Sequence, residues 1–226
     1  MRVPFLAVFL LSSAVAVSQS AVNGPMPGYS ECLESIIWLQ CHGPCTASID
    51  YWKDDRPDSL LHSRRITATE ANAYAMDFVL DQVVPGTRYG YRVLLEGLPV
   101  DVGEPLFFHT QPLWRWRGDP PEFSIATGSC AYINEAAHDR PGKPYGGEYG
   151  IFNSIADQHP DLMLWLGDNV YLREPDWGSW SGIVHRYTHA RALPEIQHLL
   201  HGAHHYAIWD DHDFGPNDAD ANFSNA

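Results

Sequence analysis

The sequence predicts two folding units: an all-β sandwich over residues 21–115, followed by an α/β unit over residues 116–226. The first half contains regularly spaced, short β-prone runs separated by turn residues, a pattern typical of a β-sandwich. The second half alternates apolar β-prone runs with segments of helical spacing. That order predicts a parallel sheet whose faces are covered by helices. Between the two patterns, Pro120-Pro121 prevents regular structure.

Composition and charge limit the classes of function. The chain has 226 residues, of which 45% are hydrophobic and 19% charged, as in an ordinary globular protein. Its formal net charge of −14 arises from 28 acidic and 14 basic residues. Because nucleic-acid binding requires basic patches, we do not expect nucleic acid as the main partner. The charge suits an exported protein or one that gathers cations.

Residues 1–20 form a predicted secretory signal peptide. Arg2 supplies the positive charge, residues 4–17 form the apolar segment, and the small residues near Ser20 offer cleavage sites. The apolar segment is short for a membrane span, and no later stretch is long and apolar enough; a retained N-terminal anchor is the alternative. We therefore expect a secreted, periplasmic or extracellular monomer without membrane association after cleavage.

The β-prone runs of the first unit cover residues 31–41, 46–52, 73–81, 83–97 and 106–111. Within the fourth run, a Pro-Gly turn precedes Tyr89, Tyr91 and Val93, which recur at a period of two. This stretch resembles the tyrosine-corner region of a fibronectin type III domain. We expect this unit to pack and position rather than to catalyse.

Four cysteines are present, and an oxidising compartment favours a disulfide. Cys41 and Cys45 flank a His-Gly-Pro turn and are the favoured pair, although Cys32 is an alternative partner for either. Cys130 lies in a different context, at the end of a predicted strand.

Residues 112–123 form the joint between the units. The tryptophans at 114 and 116 predict a packed linker. The adjacent Arg117-Gly118-Asp119 allows an adhesive interpretation, but three-residue matches arise often by chance.

The second unit contains three apolar runs, at residues 123–130, 161–171 and 204–213, separated by helical segments at 149–158 and 181–202. Pro194 marks the start of the last helical piece and Gly202 its end. Ligands of parallel sheets bind at the carboxyl ends of the strands. There the sequence places Ser129, Cys130, Asp168, Asn169, Tyr171, Asp210, Asp211, His212 and Asp213.

Thiol, carboxylate, phenol and imidazole groups together are an inventory of metal ligands. The mixed set predicts two unlike metals that share a bridging carboxylate, a common arrangement for phosphoryl transfer. Taken singly, Cys130 can be interpreted as a small core residue, and an aspartate after a strand as a helix cap. His198, His201, His204 and His205 could bind metal by themselves, but we expect a solvated helix end and strand entry.

From about residue 20 to its end, the chain resembles the PhoD-like alkaline phosphatases of the calcineurin-like metallophosphoesterase superfamily. The stretches that carry the resemblance are residues 126–134, 144–155, 161–177, 185–197 and 204–218. It implies an αββα sandwich, here incomplete at its C-terminal side, preceded by a fibronectin type III-like sandwich. The superfamily takes further ligands from a C-terminal half, so we expect this chain to be part of a longer gene product.

The resemblance also implies roles for individual residues. Cys130 would be the thiolate ligand of Fe(III), Asp168 the carboxylate that bridges both metals, and Tyr171 the phenolate ligand of the iron. Asp211 would bind the second metal, Ca(II), and His212 would contact the phosphate and protonate the leaving alcohol. Secondary support or metal contact would come from Asp210, Asp213, Asn169 and Asn217.

The function implied is a secreted metal-dependent phosphohydrolase that attacks small phosphate esters with a metal-bound hydroxide, as alkaline phosphatases and phosphodiesterases do. One alternative is a non-catalytic extracellular module for cation binding or adhesion. A second alternative is an inactive truncated fragment.

Overall fold

The structure, a computed structural model, describes residues 22–139 and 141–223. The signal peptide predicted at residues 1–20 lies outside these ranges. Within them, no helix has the length and apolar character needed to cross a membrane.

The described part of the first unit, from residue 22 onward, contains nine strands: β1 (Val22–Ser30), β2 (Ser35–Cys41), β3 (Cys45–Lys53), β4 (Leu61–His62), β5 (Ile66–Ala68), β6 (Ala75–Leu80), β7 (Arg88–Leu95), β8 (Leu98–Pro99) and β9 (Leu106–His109). One sheet has the order β1-β2-β6. The other has the order β4-β3-β7-β8, with β5 paired to β3 and β9 paired to β7. All of these pairs are antiparallel.

Side chains from both sheets fill the core of this unit, because alternate residues of each strand point inward. On β7, Tyr89, Tyr91 and Val93 are buried, as their spacing predicts. The Tyr89 ring stacks on Phe108 with centroids 5.1 Å apart. The Val84 N–H donates to the Tyr89 hydroxyl at 2.9 Å, so the turn before β7 is fixed to the strand.

A disulfide joins Cys41 at the end of β2 to Cys45 at the start of β3, with an S–S distance of 1.99 Å. This is the pair that the sequence favours. Cys32 and Cys130 are free thiols, and Cys130 is exposed.

The joint between the units differs from the prediction. Residues 111–124 contain a short turn but no strand or helix. Trp116 is 93% exposed and Trp114 is also exposed. The packed linker expected from these tryptophans is therefore wrong, because the turn leaves both rings exposed on the surface.

The second unit contains β10 (Ile125–Gly128), α1 (Gly150–Ala156), β11 (Leu162–Leu166), α2 (Trp180–Arg191), α3 (Pro194–Gly202) and β12 (His204–Ile208). The strands form a parallel sheet in the order β10-β11-β12, which confirms the predicted alternation of strands and helices. Helix α3 begins at Pro194 and ends at Gly202, as the sequence indicates.

Helices cover one face of this sheet. Met163 and Trp165 of β11 pack with Phe152 of α1 and with Ile196 and Leu199 of α3. On the opposite face Ile125, Leu166 and Ile208 are exposed. Both faces were expected to be covered, and within the described residues that expectation is wrong, because α1 and α3 lie on the same side.

The histidines around α3 are buried rather than solvated. His201, His204 and His205 are each less than a tenth exposed, whereas His198 is partly exposed. The His204 Nδ1 lies 2.9 Å from the Gly28 carbonyl oxygen of β1, and His201 Nε2 lies 3.1 Å from that of Gly24. The expectation of a solvated helix end is wrong because β1 packs against α3 and β12 and covers these rings.

Candidate metal centre

Three segments follow the carboxyl ends of β10, β11 and β12, at residues 129–131, 167–171 and 210–213, and are called the strand tips. They meet at one edge of the sheet, because the strands are parallel. Backbone hydrogen bonds fasten the first two tips together: the Cys130 N–H donates to the Gly167 carbonyl at 3.3 Å, and the Ala131 N–H to that of Asp168 at 2.9 Å. Cys130 and Asp168 are therefore neighbours although 38 residues separate them in the chain.

Both residues adopt left-handed backbone conformations, with φ of 58° at Cys130 and 50° at Asp168. Such angles are uncommon outside glycine, and less so for aspartate than for cysteine. They persist where the surrounding structure holds them, often at functional sites. Here the two backbone hydrogen bonds between the tips do so.

Gly167 lets the second and third tips approach closely. Its φ is +91°, and a Cβ at this position would lie 2.7 Å from the Cβ of Asp210. Only glycine fits both the angle and the space. The approach brings Asp168 close to the residues that follow β12.

Asp168 is the middle of the candidate centre. Its Oδ2 accepts a hydrogen bond from the Tyr171 hydroxyl at 2.9 Å and lies 3.6 Å from the Cys130 sulfur. Its other oxygen, Oδ1, is buried and has no hydrogen-bond partner among the described residues. A buried carboxylate oxygen without a partner is costly unless a cation or proton lies beside it.

The third tip completes the group. One ligand atom from each of Asp168, Asp211 and His212 lies within 4.8 Å of the others. The His212 ring packs against the Tyr171 ring with centroids 4.5 Å apart. The structure thus brings Cys130, Asp168, Tyr171, Asp211 and His212 to one edge of the sheet, and all of these side-chain types are able to bind metal ions.

The electrostatic environment of the centre also favours a bound cation. Burial acts to raise the pKa of Asp211, but backbone N–H donors of Asp218 and His212 outweigh it, and the net shift is downward. Burial, the Cys130 thiol and Asp168 raise the pKa of Tyr171 above the ordinary phenol value. A positive ion beside the phenol oxygen would reverse that shift, because it favours the phenolate.

Asp213 has a structural role at the strand tips, because both of its carboxylate oxygens accept hydrogen bonds. Its Oδ1 accepts the N–H groups of Asn169 at 2.7 Å and Val170 at 3.1 Å. Its Oδ2 accepts the N–H of Asp210 at 2.9 Å and the Asn169 side-chain amide at 3.2 Å. With both oxygens occupied, Asp213 joins the second tip to the third. The metal contact expected of Asp213 stays a prediction.

The other secondary residues also shape the tips. The exposed Asp210 accepts the Asp211 N–H at 3.0 Å and caps the short 3-10 turn at Asp211–Asp213. The side-chain amide of Asn169 donates to the Ile208 carbonyl at 2.9 Å, while that of the exposed Asn217 donates to Asp218 at 2.6 Å. No metal contact is needed to explain these positions.

A cleft of about 590 Å³ opens beside Tyr171 and His212; it is lined by Tyr132, His138, Tyr145, Tyr171, Leu172, Arg173, Glu174, Trp177, His212, Pro216 and Asn217. The Arg173 guanidinium lies 4.2 Å from the centre of the Tyr132 ring, and its Nε donates to Asp139 at 2.8 Å. Sequence reasoning missed this wall. Arg173 could have indicated it, because this cation lies two residues after Tyr171 and therefore close to the predicted phosphate site.

Neither a protein-family model nor a curated protein sequence matches the chain. Among solved structures, one described as the structure of PhoD matches with a TM-score of 0.68 and 16% identity. The match covers 91% of this chain and 41% of that one, so the chain spans about two-fifths of its length. At this identity the likeness shows the fold.

Two further structures match a smaller part of the chain. The sensor domain of the anti-sigma factor RsgI4 from Pseudobacteroides cellulosolvens has a TM-score of 0.35 at 16% identity, covering 43% of this chain and all of that one. A structure described as a myokine has a TM-score of 0.31 at 19% identity, covering 42% of this chain and 99% of that one.

Proposed function

We propose that this chain carries one side of the active site of a metal-dependent phosphoric ester hydrolase of the PhoD-like alkaline phosphatase type, in an exported protein. The observation that carries the proposal is the unpartnered, buried Oδ1 of Asp168 with a thiol, a phenol, an imidazole and a second carboxylate around it. The fold likeness to the PhoD structure supports it. The hydrolase activity proposed is that of the whole protein.

The donor types divide between two metals. Cys130 and Tyr171 would suit Fe(III), Asp211 would suit Ca(II), and Asp168 would contribute to both. When bound, the metals would supply an activated water and neutralise charge on the phosphate. The chain's own contribution is to hold these ligands at three strand tips that are fastened to one another.

His212 is the proposed general acid. Imidazole is suited to give a proton to a leaving alkoxide near neutral pH. Its ring lies on the cleft wall and against the Tyr171 ring, which fixes its orientation. The cleft beside it is the proposed location of the alcohol part of a monoester or diester.

The remainder of the molecule is proposed to support this site. The first unit is proposed as a fibronectin type III-like sandwich. The exposed apolar face that carries Ile125, Leu166 and Ile208 is the face against which the second sheet of an αββα sandwich would pack.

The test is hydrolysis of p-nitrophenyl phosphate and its bis-ester by the chain, and by the longer product if the coding sequence continues. We expect chelation to abolish turnover and Asp168→Asn to lower it by at least about 100-fold, since even outer-shell partners of a metal cost up to that much. Asp157→Asn, at the exposed end of α1, is the matched control and should keep full activity. Activity that survives Asp168→Asn contradicts the proposal.

A second measurement separates the enzyme from a non-catalytic cation-binding module. Fe(III) bound by Tyr171 should give a violet charge-transfer band, and Tyr171→Phe should remove it. Metal uptake with this band but without turnover of either ester would favour the binding module.

A further inference from the structure

A second group of metal-ligand side chains is formed by Glu135, His138 and His185, of which His138 also lines the cleft. One ligand atom from each lies within 4.8 Å of the others. Glu135 and His138 stand in the segment after β10, and His185 lies on α2. None of the three belongs to the Asp168 centre.

The distances within this Glu-His-His cluster suit a small metal ion. The His185 Nε2 lies 2.9 and 3.1 Å from the two Glu135 oxygens, and the His138 Nε2 lies 3.8 Å from Oε1. Ligands of a tetrahedral Zn²⁺, with bonds near 2.1 Å, stand roughly 3.4 Å apart. Small rotations of the side chains would therefore reach that geometry.

The segment that carries Glu135 and His138 is held in place. The Asp139 carboxylate accepts the Glu135 N–H at 2.6 Å, and the His138 N–H donates to the Glu135 carbonyl at 2.9 Å. Asp139 is anchored in turn by Arg173 at 2.8 Å and by the Tyr132 hydroxyl at 3.0 Å. Both ligands thus come from a fixed turn, as pre-organised binding requires.

Glu135 directs its Oε1 at the two imidazoles of the cluster. Arg186 lies 2.9 Å from the Oε2 of Glu135 and equally 2.9 Å from Asp176. Its charge is therefore shared with a second acid, and the Oε1 of Glu135 stays directed at the histidines.

We propose that Glu135, His138 and His185 bind a transition-metal ion, with Zn²⁺ the best fit, at a site separate from the Asp168 centre. Two imidazoles and one carboxylate are a common zinc donor set, with the fourth position left to water. The side chains are 18%, 31% and 49% exposed, so water can reach that position. The ion would fasten the turn after β10 to α2 and thereby fix the His138 side of the cleft.

The test is Zn²⁺ binding by the whole chain, measured by equilibrium dialysis, in an Asp168→Asn background that removes the other centre. We expect one equivalent to remain, and His185→Gln or His138→Gln to remove it. His42→Gln is the control, because His42 is exposed and lies 3.1 Å from the Asn23 side chain, away from the cluster. X-ray absorption should show nitrogen and oxygen ligands without sulfur, which excludes Cys130 as a ligand.

Either of two results overturns the proposal: the equivalent persists in both His138→Gln and His185→Gln, or the absorption spectrum shows a sulfur ligand. His138 lies on a turn rather than in a helix, so its variant keeps the test valid if His185→Gln perturbs α2. The test does not depend on phosphatase activity and stands or falls separately from the proposed hydrolase.

Discussion

At the scale of single residues, Cys130, Asp168 and Gly167 show which features the sequence predicts and which it does not. The sequence predicts which residue types follow each strand, because an apolar run that ends in polar residues is visible locally. It does not predict their left-handed backbone angles, which depend on hydrogen bonds between strand tips that are far apart in the chain.

A substitution at Gly167 tests this arrangement. Gly167→Ala would force a Cβ into contact with Asp210 at an unfavourable φ, so we expect a loss of about 1–3 kcal/mol in the free energy of unfolding. Metal affinity should fall as well, because Asp168 is the next residue. Urea unfolding and metal titration measure the two effects.

The control for this prediction is Gly147→Ala, since no atom lies within 4 Å of a Cβ there. It should change stability by no more than about 0.5 kcal/mol. Equal effects of the two variants would mean that the close approach of the tips is not important.

At the scale of elements, β11, β12 and α3 are joined through His205. The Trp165 indole N–H donates to the His205 Nδ1 at 3.0 Å. The His205 Nε2–H donates to the Leu199 carbonyl at 3.0 Å. This pattern requires the neutral ring. Burial lowers the pKa of His205 to about 3.

The pH dependence of stability follows from this shift. Between the ordinary histidine pKa of about 6.5 and the lowered value, the unfolded chain binds a proton that the folded chain does not. Stability therefore decreases as the pH falls through this window, by about 1.4 kcal/mol per unit at most. From pH 7 to pH 5 we expect the wild type to lose about 2 kcal/mol more than His205→Gln.

Urea unfolding at the two pH values measures this difference. His42→Gln is the control, because His42 is exposed. The control should follow the wild type, and a His205→Gln variant that does so too would show that His205 is not the source of the pH dependence.

At the scale of the whole molecule, Glu104 connects the two units. It precedes β9, and its two oxygens each lie 2.6 Å from an Nδ1 atom on α3, those of His198 and His201. Burial acts to raise the pKa of Glu104, but the two histidines outweigh it and lower the pKa. The contact therefore contributes stability above the ordinary glutamate pKa and loses it as the pH falls through the lowered value.

Glu104→Gln should reduce the free energy of unfolding by about 1–2 kcal/mol at pH 7 and by less at an acidic pH below the lowered pKa of the carboxylate, where the wild-type carboxylate is protonated. Chemical denaturation at both pH values measures the change. Glu122→Gln, on the exposed joint, should have no effect at either. A loss of the same size at both values would mean that the charge of Glu104 is not involved.

The candidate centre was predictable in part. Cys130, Asp168, Tyr171, Asp211 and His212 follow apolar runs, and parallel topology brings such positions to one edge. The role of Asp213 was not predictable, since its four donors come from two different strand tips. The sequence did not predict the Glu135 cluster, because its third ligand, His185, lies 50 residues further along the chain.

The sequence by itself determined the order of strands and helices, the ends of α3 and the residue types at the strand tips, because periodicity and punctuation by proline and glycine act over a few residues. Only the tertiary structure decided which histidines are buried, which face of the sheet is uncovered and that, among the described residues, Asp168 Oδ1 lacks a hydrogen-bond partner. Those outcomes depend on contacts such as His204 with Gly28, 176 residues apart. Long-range packing sets the environment of a side chain, and the environment decides whether it binds, donates or supports.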